Sequence, residues 1–235
     1  PEWRGRALAD PDRVERYARF LARHFYYERI VHFFKYSRAL ARVTGRRPEA
    51  VLRHPGFEAL LPTAVLGSRE TAQAVARIVV EYVADSRSLV PYLDDLLRYE
   101  EAMMVVEAGP RVWRDASEQD KGVVRGAWDA PELVEGTVLL DLGYDLPVVL
   151  PQVLQPWTEV PEAPERPTRL LVARSRHGRV AVARSDEAVA ALVRLADGRK
   201  TLEDLARAAG LRPTELESTL EGLTELGAVR FSTGS

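Results

Sequence analysis

The alternation of apolar and polar positions is easiest to read in the last third of the chain. Thr168-Arg169-Leu170-Leu171-Val172-Ala173-Arg174 and Arg179-Val180-Ala181-Val182-Ala183-Arg184 are two apolar runs on either side of Arg176-His177-Gly178. The glycine can supply the positive φ of a tight connection, so the stretch predicts a β-hairpin. Beyond it the period lengthens. Ser185 can cap a helix that carries Val189, Leu192 and Val193 inward and stops near Gly198, and Thr201 opens a second helix with Leu202 and Leu205 that ends at Gly210. Thr214 and Glu217, three apart, predict a capping box for a third helix, whose Leu216, Leu220, Leu223 and Leu226 share one face before Gly227. A strand through Val229 and Phe231 completes the order of a winged helix.

The first half is patterned for helices. Pro11 follows a frayed lead-in from Pro1 to Asp10 and starts a long aromatic stretch with Val14, Tyr17, Leu21, Phe25, Tyr26, Ile30, Phe33 and Phe34, closed by Gly45 and Pro48. Its aromatics lie on more than one side, which predicts a helix covered over much of its girth or one that meets a second protein. Short helical pieces over Pro48 to Arg53 and Phe57 to Leu61 precede a helix after Ser68, with Ala72, Val75, Ala76, Val79 and Val83 at helical spacing. Leu89 to Glu107 is a fourth candidate, with Leu93, Leu96, Leu97, Glu100, Met103 and Met104 inward and Asp94, Asp95, Arg98 and Glu101 largely outside. Of the pair Glu100-Glu101, one carboxylate is expected half-buried and one exposed. From Gly109 to Gly136 the pattern weakens, although Trp113 and Trp128 suggest a loop that packs down; Thr137 to Leu142 reads as a short strand and Tyr144 to Leu154 as a brief helix. Six prolines between Pro147 and Pro167 then predict an extended, semi-stiff connector from Gln155 to Pro167. The fold class is α+β, mostly α: a helical bundle over 1–136, a proline-rich junction over 137–167 and a winged-helix-like module with its hairpin over 168–235.

Charge changes what that module can do. From Thr214 to Leu226 the third helix carries Glu215, Glu217, Glu221 and Glu225 and no Lys or Arg. A recognition helix lies among phosphates, so this surface argues against DNA, and the net charge of −2 gives no bulk reason to bind nucleic acid or anionic lipid. An exposed hairpin edge can instead add an extended peptide as a further strand, with the acidic helix flanking Lys or Arg of the guest. Leu170, Leu171, Val172, Ala173, Val180 and Val182 are the residues expected to receive it.

Other chemistry is thinly represented. The chain has no cysteine, which removes thiolate ligands, disulfides and cysteine nucleophiles. His24, Glu28 and His32 fall four apart on one helical face; with Glu81, Asp85, Glu100 or Glu107 they would make a carboxylate and imidazole cluster of di-iron type, though the spacing departs from the Glu-x-x-His pattern and no metal or cofactor is expected. His54 and His177 fall in turns. Gly45-Arg46-Arg47 reads as a charge complement to a helix end. Neither a nucleophile elbow nor a phosphate-cradling loop is visible. No apolar run approaches a membrane span and no charged-then-apolar leader precedes the first helix, so a cytoplasmic, non-catalytic binding protein is expected.

Three stretches carry a family resemblance: Pro91-Tyr92-Leu93-Asp94-Asp95-Leu96-Leu97-Arg98-Tyr99-Glu100, Tyr144-Asp145-Leu146-Pro147-Val148-Val149-Leu150-Pro151, and Pro167-Thr168-Arg169-Leu170-Leu171-Val172 with Gly178-Arg179-Val180 and the Leu-rich helices after it. In this order they resemble the partner proteins of multinuclear non-haem iron-dependent oxidative enzymes, which act on ribosomally made peptides, the methanobactin partner subunit among them. The resemblance implies a helical part that docks on the iron enzyme and a C-terminal part that receives the leader of a precursor peptide and presents its core. The outer face of the fourth helix, with Asp94, Asp95, Arg98 and Glu101, together with exposed aromatics of the first helix, is the expected enzyme contact. The alternatives are a di-metal enzyme built in the bundle and a winged-helix transcription factor.

Overall fold

The computed structural model describes residues 10–86, 90–110 and 130–232. The lead-in before Asp10, the helix start expected at Leu89, and Trp113 and Trp128 lie outside the described residues. The chain is mostly helical with small antiparallel sheets.

Helix α1 (Pro11–Phe33) starts where expected, with Asp10 accepting from the Arg13 N–H and proline in the first turn. It breaks at Phe34, whose φ of −95° and ψ of 35° are not helical, and restarts as α2 (Lys35–Ala39) and α3 (Ala41–Thr44). A 3₁₀ turn (Pro48–Arg53) and α4 (Pro55–Leu60) follow. Helix α5 (Arg69–Ala84) is capped by Ser68, and α6 (Leu93–Glu107) packs along it. Their apolar faces meet Tyr26, Ile30, Phe34, Leu40, Val51 and Phe57 in one large core.

The carboxylate expected to be half-buried is wholly buried. Glu100 of α6 accepts from the backbone N–H of Tyr36 (2.7 Å) and of Ser37 (3.2 Å), so it caps the restarted α2 from across the bundle. Burial pushes its pKa up to about 8, although the bonds from Ser37 and Tyr36 and the nearby Lys35 charge oppose the rise. Glu101 is partly buried, and desolvation raises it against the Arg77 charge.

The strands do not respect the boundaries expected at Gly136 and Pro167. Strand β1 (Ala130–Leu133) pairs antiparallel with the last strand, β5 (Val229–Ser232), and belongs to the C-terminal part. Strand β2 (Val138–Leu142), inside the supposed junction, pairs with β3 (Thr168–Arg174), which pairs in turn with β4 (Val180–Arg184). In the order β2-β3-β4, β3 is central. Its apolar run has no polar alternation because both faces are covered. Leu170 and Val172 join the bundle core with Leu140 and Leu142, while Leu171 and Ala173 join a second core with Leu192, Leu205, Leu216, Leu220 and Leu223. The sheet is a layer shared by the two halves.

The connector after α7 (Leu146–Val153) is no free spacer. Tyr92 donates its hydroxyl to the Pro161 carbonyl at 2.8 Å, the Asp145 N–H donates to the Pro164 carbonyl at 2.9 Å, and Trp157, Val160 and Ala163 pack on the bundle core. Fixed proline φ angles suit this docked, extended path.

The C-terminal helices are α8 (Glu187–Leu195), α9 (Leu202–Ala209) and α10 (Pro213–Leu226). Thr201 caps α9 and Gly210 ends it, as the sequence predicts. Two caps differ. Asp186, not Ser185, accepts from the Val189 N–H (2.8 Å), because its carboxylate is the stronger acceptor. The capping box of α10 uses Glu215, which accepts from the Arg212 N–H (3.1 Å), since Pro213 at the first helical position moves the start two residues earlier than Thr214 requires.

Candidate functional site: the free edge of the shared sheet

The hairpin turns as predicted: Gly178 has φ +76° and its N–H donates to the Ser175 carbonyl at 2.8 Å. Ser175 N–H donates to the Arg179 carbonyl and Ser185 N–H to the Arg169 carbonyl. With Ala173 opposite Ala181 and Leu171 opposite Ala183, the ladder bonds fall on Ala181 and Ala183. The backbone N–H and C=O groups of Val180, Val182 and Arg184 therefore point away from β3, along the open edge of the sheet.

The placement of the expected peptide-binding residues is uneven. Leu170, Leu171, Val172 and Ala173 are buried in the central strand, with their side chains in the two cores and their backbone in the ladder; they cannot accept a guest strand. Val180 and Val182 are half-exposed on the edge strand, and their side chains lie on the bundle face of the sheet. Ala181 and Ala183, on the opposite face, are half-exposed and small. The edge was legible in the sequence, but which strand forms it was not: Thr137 to Leu142 reads as a strand inside the junction, with nothing local to show that it pairs with β3.

Charged side chains fix the β3–β4 hairpin at both ends: Arg174, the last residue of β3 opposite Val180, and Arg184, the last residue of β4. At the hairpin end, Arg174 is buried and donates to the carbonyls of Glu107 (2.5 Å) and Gly109 (2.9 Å), satisfying the C-terminal end of α6. At the other end, Arg184 donates to Asp145 (2.5 Å), whose carboxylate is fully buried and is also paired with Arg166. Sequence reading assigned no role to either arginine or to Asp145; a charge next to an apolar strand end was the only available signal.

Helix α10 presents Glu217, Glu221 and Glu225 to solvent at i, i+4 and i+8, while Leu216, Leu220 and Leu223 enter the second core. Its surface repels a phosphate backbone. Among the described residues no group of three His, Asp or Glu could hold a metal ion. His24, Glu28 and His32 are exposed; His24 stacks on Phe20 with ring centroids 6.3 Å apart, and Glu100 is committed to α2. No helix of the described residues is long and apolar enough to cross a membrane.

The expected enzyme contact is also redistributed. Asp94 and Arg98 are exposed on α6, but Asp95 accepts from the backbone N–H of Gly143 (2.7 Å) and Tyr144 (3.0 Å), and Glu101 is partly buried. Asp95 is thus an internal support for the β2–α7 turn. The larger free surface is on α1, where Tyr17 is 62 % and Phe20 61 % exposed, with Tyr27 further along the same face. No family model matches the chain, and a search of curated proteins returns no match.

Proposed function

We propose that this protein is a non-catalytic partner subunit: it binds the leader of a ribosomally synthesised precursor peptide by strand addition to β4 and presents the peptide to a multinuclear non-haem iron oxidative enzyme. The observation that carries this is the open backbone edge of Val180, Val182 and Arg184, in a hairpin held by Arg174 of β3 at one end and Arg184 of β4 at the other. A guest strand there would gain sequence-tolerant backbone bonds. Its side chains would alternate between the half-exposed valines on the bundle face and the two alanines on the face of α10. Ordering a flexible leader opposes binding, so a modest affinity is expected.

The enzyme contact is assigned to the aromatic ridge of α1, with exposed Asp94 and Arg98 of α6 in support. Exposed aromatics of this size are enriched at protein interfaces. This role belongs to the cytoplasm, where precursor peptides are synthesised.

The test is co-purification from native extract, followed by one substitution. Val182→Pro removes an N–H that points away from β3, so the hairpin ladder survives while strand addition is blocked. An iron enzyme and a small peptide should accompany the natural protein, and the peptide alone should be lost with Val182→Pro. Retention of the peptide would refute the β4 assignment.

A further inference from the structure

A concave site lies on the bundle, lined by none of the residues of β4. A cleft of about 510 Å³ opens between α2, α3 and the end of α7, lined by Lys35, Arg38, Arg42 and Arg47 around a floor that includes Ala39 and Leu154. From Lys35 to Pro48 the chain carries five cations and no carboxylate, although its net charge is −2. An ordinary solvated face would scatter such charges outward. Here four of them converge on one depression.

Two of the guanidinium groups are already held in place. Arg42 stacks on the Trp157 ring, 3.3 Å from its centroid, and also donates to the Trp157 carbonyl. Arg38 is fixed by Glu49 at 3.1 Å. Lys35 holds its ammonium 4.9 Å from the Tyr36 ring centre. Among the described residues no carboxylate forms a salt bridge with Lys35, Arg42 or Arg47. Pre-ordered guanidinium forks lose little entropy when a carboxylate arrives, and they match its two oxygens.

We propose that this cleft docks an acidic, partly apolar segment of a partner polypeptide. Carboxylates would meet the cationic rim while an apolar side chain covers the floor at Ala39 and Leu154. Nucleic acid fits less well. Single strands need free aromatic faces for base stacking, and the ring faces here are covered by Arg42 and Lys35. A lone phosphate would leave the apolar floor bare.

The experiment is fluorescence anisotropy of the full chain at low salt with a labelled peptide in which Glu alternates with Leu. Controls are the same peptide with Lys in place of Glu, an oligonucleotide of equal charge, and inorganic phosphate as competitor. The Glu peptide should bind, the Lys peptide should not, and affinity should fall about tenfold in the double variant Lys35→Glu, Arg47→Glu. If that variant does not fold, Arg47→Ala should still weaken binding about threefold. Val182→Pro should leave this binding unchanged, which separates the cleft from the sheet edge. Tighter binding of the oligonucleotide, full displacement by phosphate, no binding of the Glu peptide, or indifference to the substitutions would each overturn the proposal.

Discussion

Arg184, the last residue of β4, holds its guanidinium 2.5 Å from the buried carboxylate of Asp145, 39 residues earlier at the start of α7. Burial pushes the Asp145 carboxyl up, but the hydrogen bonds and charges of Arg184 and Arg166 outweigh it and hold the group below its ordinary value. The sign follows. Stability from this carboxylate is complete above the ordinary carboxylate pKa and is lost as pH falls through the lowered one. Asp145→Asn should cost about 1–2 kcal/mol at neutral pH, less than for a wholly buried pair because both arginines can reach water. Denaturant melts should show the difference between variant and natural protein shrinking in acid, and hydrogen exchange should rise at the Arg184 end of β4.

Glu100 predicts the opposite slope. Its folded-state pKa of about 8 lies above the ordinary 4.5, so the folded protein binds the extra proton between those values. Stability should therefore decline as pH rises from about 5 to about 8, by up to about 1.4 kcal/mol per pH unit, and level off above. Glu100→Gln keeps an acceptor for Tyr36 and Ser37 but cannot ionise. Its denaturation midpoint should be nearly flat over that window; a slope equal to the natural protein's would remove Glu100 as the source.

The secondary structure was largely legible from periodicity, and the layering was not. Helices α1, α5, α6, α9 and α10 follow their apolar spacing, with Ser68 opening α5, Thr201 and Gly210 bounding α9 and Gly227 ending α10. The central position of β3 depended on β2, five residues set next to a proline-rich stretch, and strand pairing at that distance leaves no local mark. The run Leu170-Leu171-Val172-Ala173 did carry a signal: a strand apolar on both faces is covered on both faces. For the candidate site, the hairpin was correct and its usable edge was displaced by one strand. The spacing places Asp95 outside and Glu100 inward but only half-buried; the capping role of each goes unread because an acidic side chain that caps a distant backbone carries no mark of it in sequence.

Gly227 offers a steric test of how closely the two cores approach. Its φ is +84°, and a Cβ there would lie 2.2 Å from the Arg174 carbonyl oxygen. Neither the backbone angle nor that carbonyl can yield cheaply. Gly227→Ala should destabilise by about 3 kcal/mol or more, or abolish soluble expression, whereas Gly222→Ala, in open space on α10, should be neutral or slightly stabilising. Thermal melting of the pair provides the comparison.

The ridge on α1 makes a separable claim. Tyr17→Ser with Phe20→Ser removes exposed apolar surface and touches no buried contact, so the melting temperature should change little. On the proposed function, co-elution with an iron enzyme should be lost while capture of a leader peptide persists. Intact co-elution would move the contact elsewhere.

Because β3 contributes one row of side chains to each core, the hairpin module cannot be lifted out as a portable tag. Cutting the chain ahead of Thr168 would expose Leu170 and Val172 to water and strip β3 of its β2 neighbour, leaving a sticky fragment in place of a folded module. Grafting this sheet edge onto another scaffold would require bringing the helices beneath it as well.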